Sequence, residues 1–131
     1  MTSAAEPAVA VTLVVTAAND NISFARLTAV QVASKVGFDY DAIEDVRIAV
    51  SELCGIVIGA AVSGSELTIV CRGDADGLTI FGRAPANEGG IVLEPDDLSE
   101  QVLAAVTDKH EFSSDGSEVQ FSMFRSRSTG S

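Results

Sequence analysis

Residues 39–61, DYDAIEDVRIAVSELCGIVIGAA, decide the fold. Asp39 or Asp41 can accept a hydrogen bond from a first-turn amide, and Ser63-Gly64-Ser65 breaks whatever precedes it, so a helix running to about residue 61 is predicted. One stripe of that helix is Val46, Val50, Leu53, Val57 and Ala60 or Ala61. A second face carries Ile48, Glu52, Ile56 and Gly59, spaced by four, four and three residues. Both faces are largely apolar, which predicts a central helix covered on two sides, its second stripe interrupted by one carboxylate, Glu52.

Upstream, residues 10–17 (AVTLVVTA) are apolar and β-branched, the composition of a strand. Asn19, Asp20 and Asn21 form a turn that can start a helix over residues 23–36, with Phe24, Leu27, Val30 and Ala33 or Ser34 as its inward stripe. Gly37 follows, where a left-handed cap is common. Downstream, residues 66–72 (ELTIVCR) and 78–82 (LTIFG) flank GDADG, a strong hairpin signal. Residues 83–95 contain two prolines and Gly89-Gly90 without periodicity, which predicts a long irregular connection. A helix over residues 97–108 with Leu98, Val102 and Ala105 or Val106 inward, then a hairpin of residues 110–113 and 118–125, complete the chain. Strands gathered into hairpins beside helices predict an α/β (α+β) two-layer sandwich: a mixed sheet covered on one face by about three helices. Residues 1–8 and 126–131 are expected to be tails around a single domain, 9–125.

Composition narrows the function. Eight basic against nineteen acidic residues give a net charge of −11, which opposes direct nucleic-acid binding and favours a basic protein surface as partner. Trp is absent and aromatics are few, so Val, Ile, Leu and Ala must build the core. Cys54 and Cys71 lie in apolar contexts outside any CxxC or Cys/His spacing, which points to reduced, buried thiols and a cytoplasmic protein. The apolar run at residues 9–15 is too short to span a membrane and lacks the charged flank of a signal peptide.

Two segments carry a family resemblance. Residues 21–30 (NISFARLTAV), with the run Ser23-Phe24-Ala25-Arg26, resemble the first helix of the anti-sigma factor and serine-protein kinase family of the GHKL ATPase superfamily. Residues 45–61, with Val50-Ser51-Glu52, resemble the second helix of that family, which leads into its ATP site. The element order matches over roughly residues 9–124. The resemblance implies a GHKL ATPase-like domain that, as a homodimer, grips a sigma factor through the first-helix region, Arg26 and Ser23 included, and is released by an anti-anti-sigma partner.

The kinase members need a Glu that orients or deprotonates the attacking hydroxyl and, four residues on, an Asn whose oxygen ligates Mg²⁺. Glu52 matches the Glu, but Ile56 stands at the Asn position and offers no lone pair. The adenine-reading Asp and glycines of the family align with Gly82, Ala84 and Ala86, with no carboxylate. The glycine-rich phosphate turn falls near Asp97-Leu98-Ser99, where Asp97 would repel phosphate; Asn87, Glu88, Gly89 and Gly90 are a partial substitute. The resemblance thus implies a degenerate nucleotide site, with no cofactor or metal expected, and Glu52 as a relict at the cleft edge, solvated or hydrogen-bonded.

Other readings stand beside this one. Glu52 as a working base would make the chain an ATP- and Mg-dependent serine kinase acting on an anti-anti-sigma protein. A degenerate GHKL scaffold or dimerisation module with another protein partner is a third possibility. Arg26 can equally be an outward arginine of a helix surface. His110, the single histidine, has no companion ligands and reads as structural or exposed, and Glu94, Asp96, Asp97 and Glu100 read as an acidic, solvated helix start.

Overall fold

The computed structural model describes residues 9–87 and 95–127. Strand β1 (Val9–Thr16) is followed by a 3-10 turn (Asn19–Asn21), helices α1 (Ile22–Lys35) and α2 (Tyr40–Ala60), strands β2 (Glu66–Gly73) and β3 (Gly77–Pro85), helix α3 (Asp97–Val106), and strands β4 (Lys109–Ser114) and β5 (Glu118–Ser126). The strands form one five-stranded sheet in the order β1-β2-β3-β5-β4. All four pairings are antiparallel, so the mixed sheet expected from the sequence is antiparallel throughout the described residues. Three helices cover one face. Helix α1 lies over β1 and β2, α2 over β3 and β5, and α3 between α2 and β4.

The predicted spine is in place. Asp39 caps α2 by accepting from the Ala42 amide at 2.8 Å. Val46, Val50, Leu53, Val57 and Ala60 are buried, against Leu67, Ile69, Leu78, Ile80 and Val119 among others. Burying each such side chain contributes about 1.5–3 kcal/mol. The second face of α2 is less covered than its composition predicts: Glu52 and Ile56 are half-buried, while Ile48 and Gly59 are exposed.

Helix α1 reverses its predicted orientation. Phe24 and Leu27, expected inward, are 53% and 63% exposed and Val30 is half-buried; Ala33 is buried as expected, but its buried companions are Ala25, Ala29 and Val32. The reason is distance. Helices α1 and α2 pack directly on each other, and fully buried alanines on both (Ala25, Ala29, Ala42, Ala49) suit an approach that a Phe or Leu would prevent. Gly37 ends α1 with a φ of 92°, the left-handed conformation its position predicts.

Helix α3 differs in part: Val106 is buried and Val102 half-buried as expected, but Leu103 joins them in the core, whereas Leu98 is 70% exposed and Ala105 exposed. A ten-residue helix packed on one side only needs a narrow stripe, and three-residue spacing from Leu103 to Val106 provides it. Strand β3 runs through Pro85, into the segment expected to be irregular, and β5 includes Ser126, the first residue of the expected tail. Residues 1–8 and 128–131, expected as tails, together with Glu88, Gly89, Gly90 and Glu94, lie outside the described residues. No helix among the described residues is long and apolar enough to cross a membrane.

Candidate functional site at the Ser51-Glu52 step

Ser51 and Glu52 are neighbours on α2, and each reaches a different helix. The Ser51 hydroxyl donates to the Arg47 carbonyl at 3.0 Å and accepts from Arg26 Nη1 of α1 at 3.1 Å. Glu52 Oε1 accepts from the hydroxyl of Ser99, in the first turn of α3, at 3.0 Å. One dipeptide step in the central helix therefore ties the three helices together. Successive helical residues diverge by about 100°, which lets adjacent side chains serve opposite neighbours.

Arg26 does not project away from the protein as its distance from a Phe24–Leu27 core stripe would require. With Ala25 and Ala29 turned inward, Arg26 lies on the flank of α1 that faces α2, half-buried and bonded there. The outward surface of α1 instead carries Phe24 and Leu27. Ser23, in the first turn of α1, is exposed and donates to the Asp20 carbonyl at 3.4 Å.

Four residues after Glu52, Ile56 is half-buried and packs against the core. Gly82 and Ala84 lie under the helices in β3, both buried, and Ala86 pairs with Ala61 in an isolated bridge just beyond α2. The Val62 amide donates to the Pro85 carbonyl and the Asn87 amide to the Ala60 carbonyl, both at 2.9 Å, so the end of α2 is stitched to the end of β3. Phe121 of β5 lies directly across Gly82, and a Cβ there would overlap the aromatic ring. Phe121 is itself buried.

Asp97-Leu98-Ser99 is the first turn of α3. Asp96 caps it by accepting from the Ser99 amide at 2.8 Å, and Asp96, Asp97 and Glu100 make that helix start acidic. His110 on β4 bridges back to the same helix, with Nε2 3.0 Å from Glu100 Oε1 and Nδ1 3.3 Å from Thr107 Oγ1, a structural arrangement. Among the described residues no cluster of three or more His, Cys, Asp or Glu side chains could hold a metal ion.

Cys54, two residues past Glu52, and Cys71 on β2 are both free and buried. Burial pushes each thiol up to about 12; for Cys54 the neighbouring Cys71 adds to the rise, and Arg26 opposes it. Both are poor nucleophiles at neutral pH. On the opposite, open face of the sheet, a groove of about 570 Å³ is lined by Arg72, Phe81, Arg83, Glu118 and Gln120 among others, away from Glu52.

Two contacts were not anticipated from the sequence: Ser51 as the acceptor for Arg26, and Ser99 as the donor to Glu52. Ser51 adjoins Glu52 in the quoted Val-Ser-Glu run, and a serine within a helix often bonds the carbonyl one turn back, which it does here. Ser99 is forty-seven residues from Glu52, and no local pattern marks the pair.

No family model matches the chain. The chain is similar to serine-protein kinase RsbW of two strains of Bacillus cereus, with 35% identity over 83 residues in each comparison. The match takes in 62% of this chain and 49% of each relative, so the chain spans about half the length of the curated relatives it matches.

Proposed function

We propose that this chain is an anti-sigma regulatory factor with a GHKL ATPase-like domain, one that binds and sequesters a sigma factor, is controlled by an anti-anti-sigma partner, and works without ATP. It acts as a cytoplasmic homodimer, with Arg26 and the adjoining surface of α1 in the partner interface. The similarity to serine-protein kinase RsbW, together with the Ser-Phe-Ala-Arg and Val-Ser-Glu runs, supports the family reading. The net charge of −11 favours a basic partner surface and disfavours nucleic acid.

One observation carries the absence of nucleotide. The residues where metal and adenine would be held do not fit them: Ile56 has no donor atom, and Phe121 fills the space over Gly82. Glu52 is engaged by Ser99, at an acidic helix start that repels phosphate. Calorimetry with Mg-ATP tests this, with no binding expected at physiological concentrations and a dissociation constant in the low micromolar range refuting it. Co-purification from the native cell, with mass spectrometry of the bound protein, tests the partner, and a bound protein other than a sigma factor would favour the scaffold reading.

A second reading rests on Glu52 itself and on the relatives' name. If Glu52 acts as a base, the chain is a serine kinase for an anti-anti-sigma protein, and ATP-dependent phosphate transfer to a partner serine would establish it.

A further inference from the structure

The three helices cover one face of the sheet, and among the described residues nothing covers the other. Side chains alternate along each strand. Leu67, Ile69, Leu78 and Ile80 are buried beneath the helices, which leaves Val70 and Arg72 of β2 and Phe81 and Arg83 of β3 on the open face. The register sets them in rows: Arg72 beside Thr79, Val70 beside Phe81, and Thr68 beside Arg83, with Gln120 of β5 next in that last row. The groove of about 570 Å³ lies over these rows.

Among the open-face side chains that line the groove, Val70 and Phe81 alone are apolar, and they are direct cross-strand neighbours. Phe81 is 47% exposed. This apolar row is too narrow to seat a second sheet, and its width matches the stripe of one amphipathic helix.

Charge selects the kind of helix. The groove holds two guanidiniums and one carboxylate. That carboxylate, Glu118, is already shared: Arg83 Nε lies 3.8 Å from its Oε2, and Gln120 Nε2 donates to its Oε1 at 3.0 Å. Arg72 is exposed at the other end, and its guanidinium has no hydrogen bond or ion pair among the described residues. The turn beyond it carries Asp74, whose carboxylate accepts from the Asp76 and Gly77 amides, and Asp76; neither lines the groove. An arriving carboxylate completes Arg72, whereas a lysine meets only a carboxylate that is engaged twice. The chain carries a net charge of −11, but salt screens its more distant acids beyond about 8–10 Å, so the groove's own charges decide.

Spacing fixes the pattern. Arg72 pairs with Thr79, four residues before Arg83 on β3, so the two arginines stand about 14 Å apart along the strands with Phe81 between them. On a helix laid along the strands, residues seven apart share a face and are separated by about 10.5 Å. Arginine stems span the remainder. We propose that the open face of β2, β3 and β5 is a docking surface for an amphipathic helix of a partner protein, with a carboxylate on Arg72 and an apolar stripe over Val70 and Phe81. Aliphatic residues three and four positions after the carboxylate form that stripe, and a side-chain amide seven positions on meets the Arg83–Glu118 pair. The face lies on the other side of the sheet from α1, so its occupation leaves Arg26 accessible. The site goes beyond the anti-sigma reading and does not depend on it.

The probe is a fluorescent, alanine-rich helical peptide carrying Glu-x-x-Leu-Leu-x-x-Gln, titrated into the full chain by anisotropy. One control replaces the glutamate by lysine, and another replaces both leucines by serine. The first peptide is expected to bind at least tenfold more tightly than either control. It should shift the backbone amide resonances of residues 68–72 and 79–83 and leave those of residues 22–35 in place. Arg72→Glu should weaken it tenfold or more and reverse the preference toward the lysine peptide, with the thermal midpoint unchanged. Phe81→Ala should bring the first peptide down to the affinity of the serine control, and keeps the test decisive if Arg72→Glu fails to fold. The proposal is overturned by equal affinity for the three peptides, by no binding, or by shifts confined to the helices or the β1 edge. Open-face shifts that follow protein concentration without peptide would also overturn it, since the occupant would then be a second copy of this chain.

Discussion

The hydroxyl of Ser99 and the carboxylate of Glu52, 3.0 Å apart, join the start of α3 to the middle of α2. Glu52 is the one ionisable residue on an otherwise apolar helical stripe, and the bond explains how a half-buried carboxylate is accommodated there. Glu52→Gln keeps an acceptor for Ser99, so unfolding in urea should show a change of no more than about 1–2 kcal/mol, with partner binding unaltered. Ser99→Ala should cost about 1 kcal/mol. Loss of partner-serine phosphorylation in Glu52→Gln would decide for the kinase instead.

Arg26 has two separable readouts. Removing its bond to Ser51 in Arg26→Ala should lower stability by about 0.5–1.5 kcal/mol, and Ser51→Ala should cost a comparable amount. In the partner interface, Arg26→Glu should weaken binding by about 2 kcal/mol or more. Unchanged partner affinity in Arg26→Glu, measured on folded protein, removes Arg26 from the interface and leaves it a helix-to-helix tie.

Gly82 is required by Phe121. A methyl group at residue 82 would enter the ring of a buried phenylalanine with little room to turn, so Gly82→Ala should destabilise by about 1–3 kcal/mol. Combining it with Phe121→Leu should recover part of that loss, a coupling that a double-mutant cycle of thermal denaturation would measure. Additive costs would show that the ring does not set the constraint.

Cys54 and Cys71 make stability fall in alkali. Their folded pKa values, about 12, lie above the ordinary thiol value, so the unfolded chain releases its thiol protons first as pH rises. The stabilisation is complete below pH 9 and is lost progressively as pH climbs toward 12. The urea midpoint should therefore drop more steeply above pH 9 in the native sequence than in the Cys54→Ala, Cys71→Ala double variant. Iodoacetamide at pH 8 should label neither thiol until the protein is unfolded.

Helix α2, the two hairpins and the two-layer arrangement were legible because each rests on local information. Asp39 caps, Ser63-Gly64-Ser65 breaks, GDADG turns, and the spacing of Val46, Val50, Leu53 and Val57 identifies one buried face whatever packs against it. The candidate residues Glu52, Ile56 and Arg26 were legible as a pattern of types, from a resemblance and from the chemistry each side chain can or cannot perform.

What the amino-acid order determined by itself, then, was the set of elements, their likeness to a family, and the absence of a ligating atom at Ile56. Tertiary structure alone decided which way α1 turned. Size, and not hydrophobicity, ruled there: a close helix pair and the sheet took Ala25 and Ala29 and left Phe24 and Leu27 outside. It also decided what Arg26, Glu52 and Gly82 do, because their partners Ser51, Ser99 and Phe121 lie twenty-five, forty-seven and thirty-nine residues away. Contacts that distant leave no periodicity in the chain, and only the packing of one helix against two others and a sheet brings them within reach.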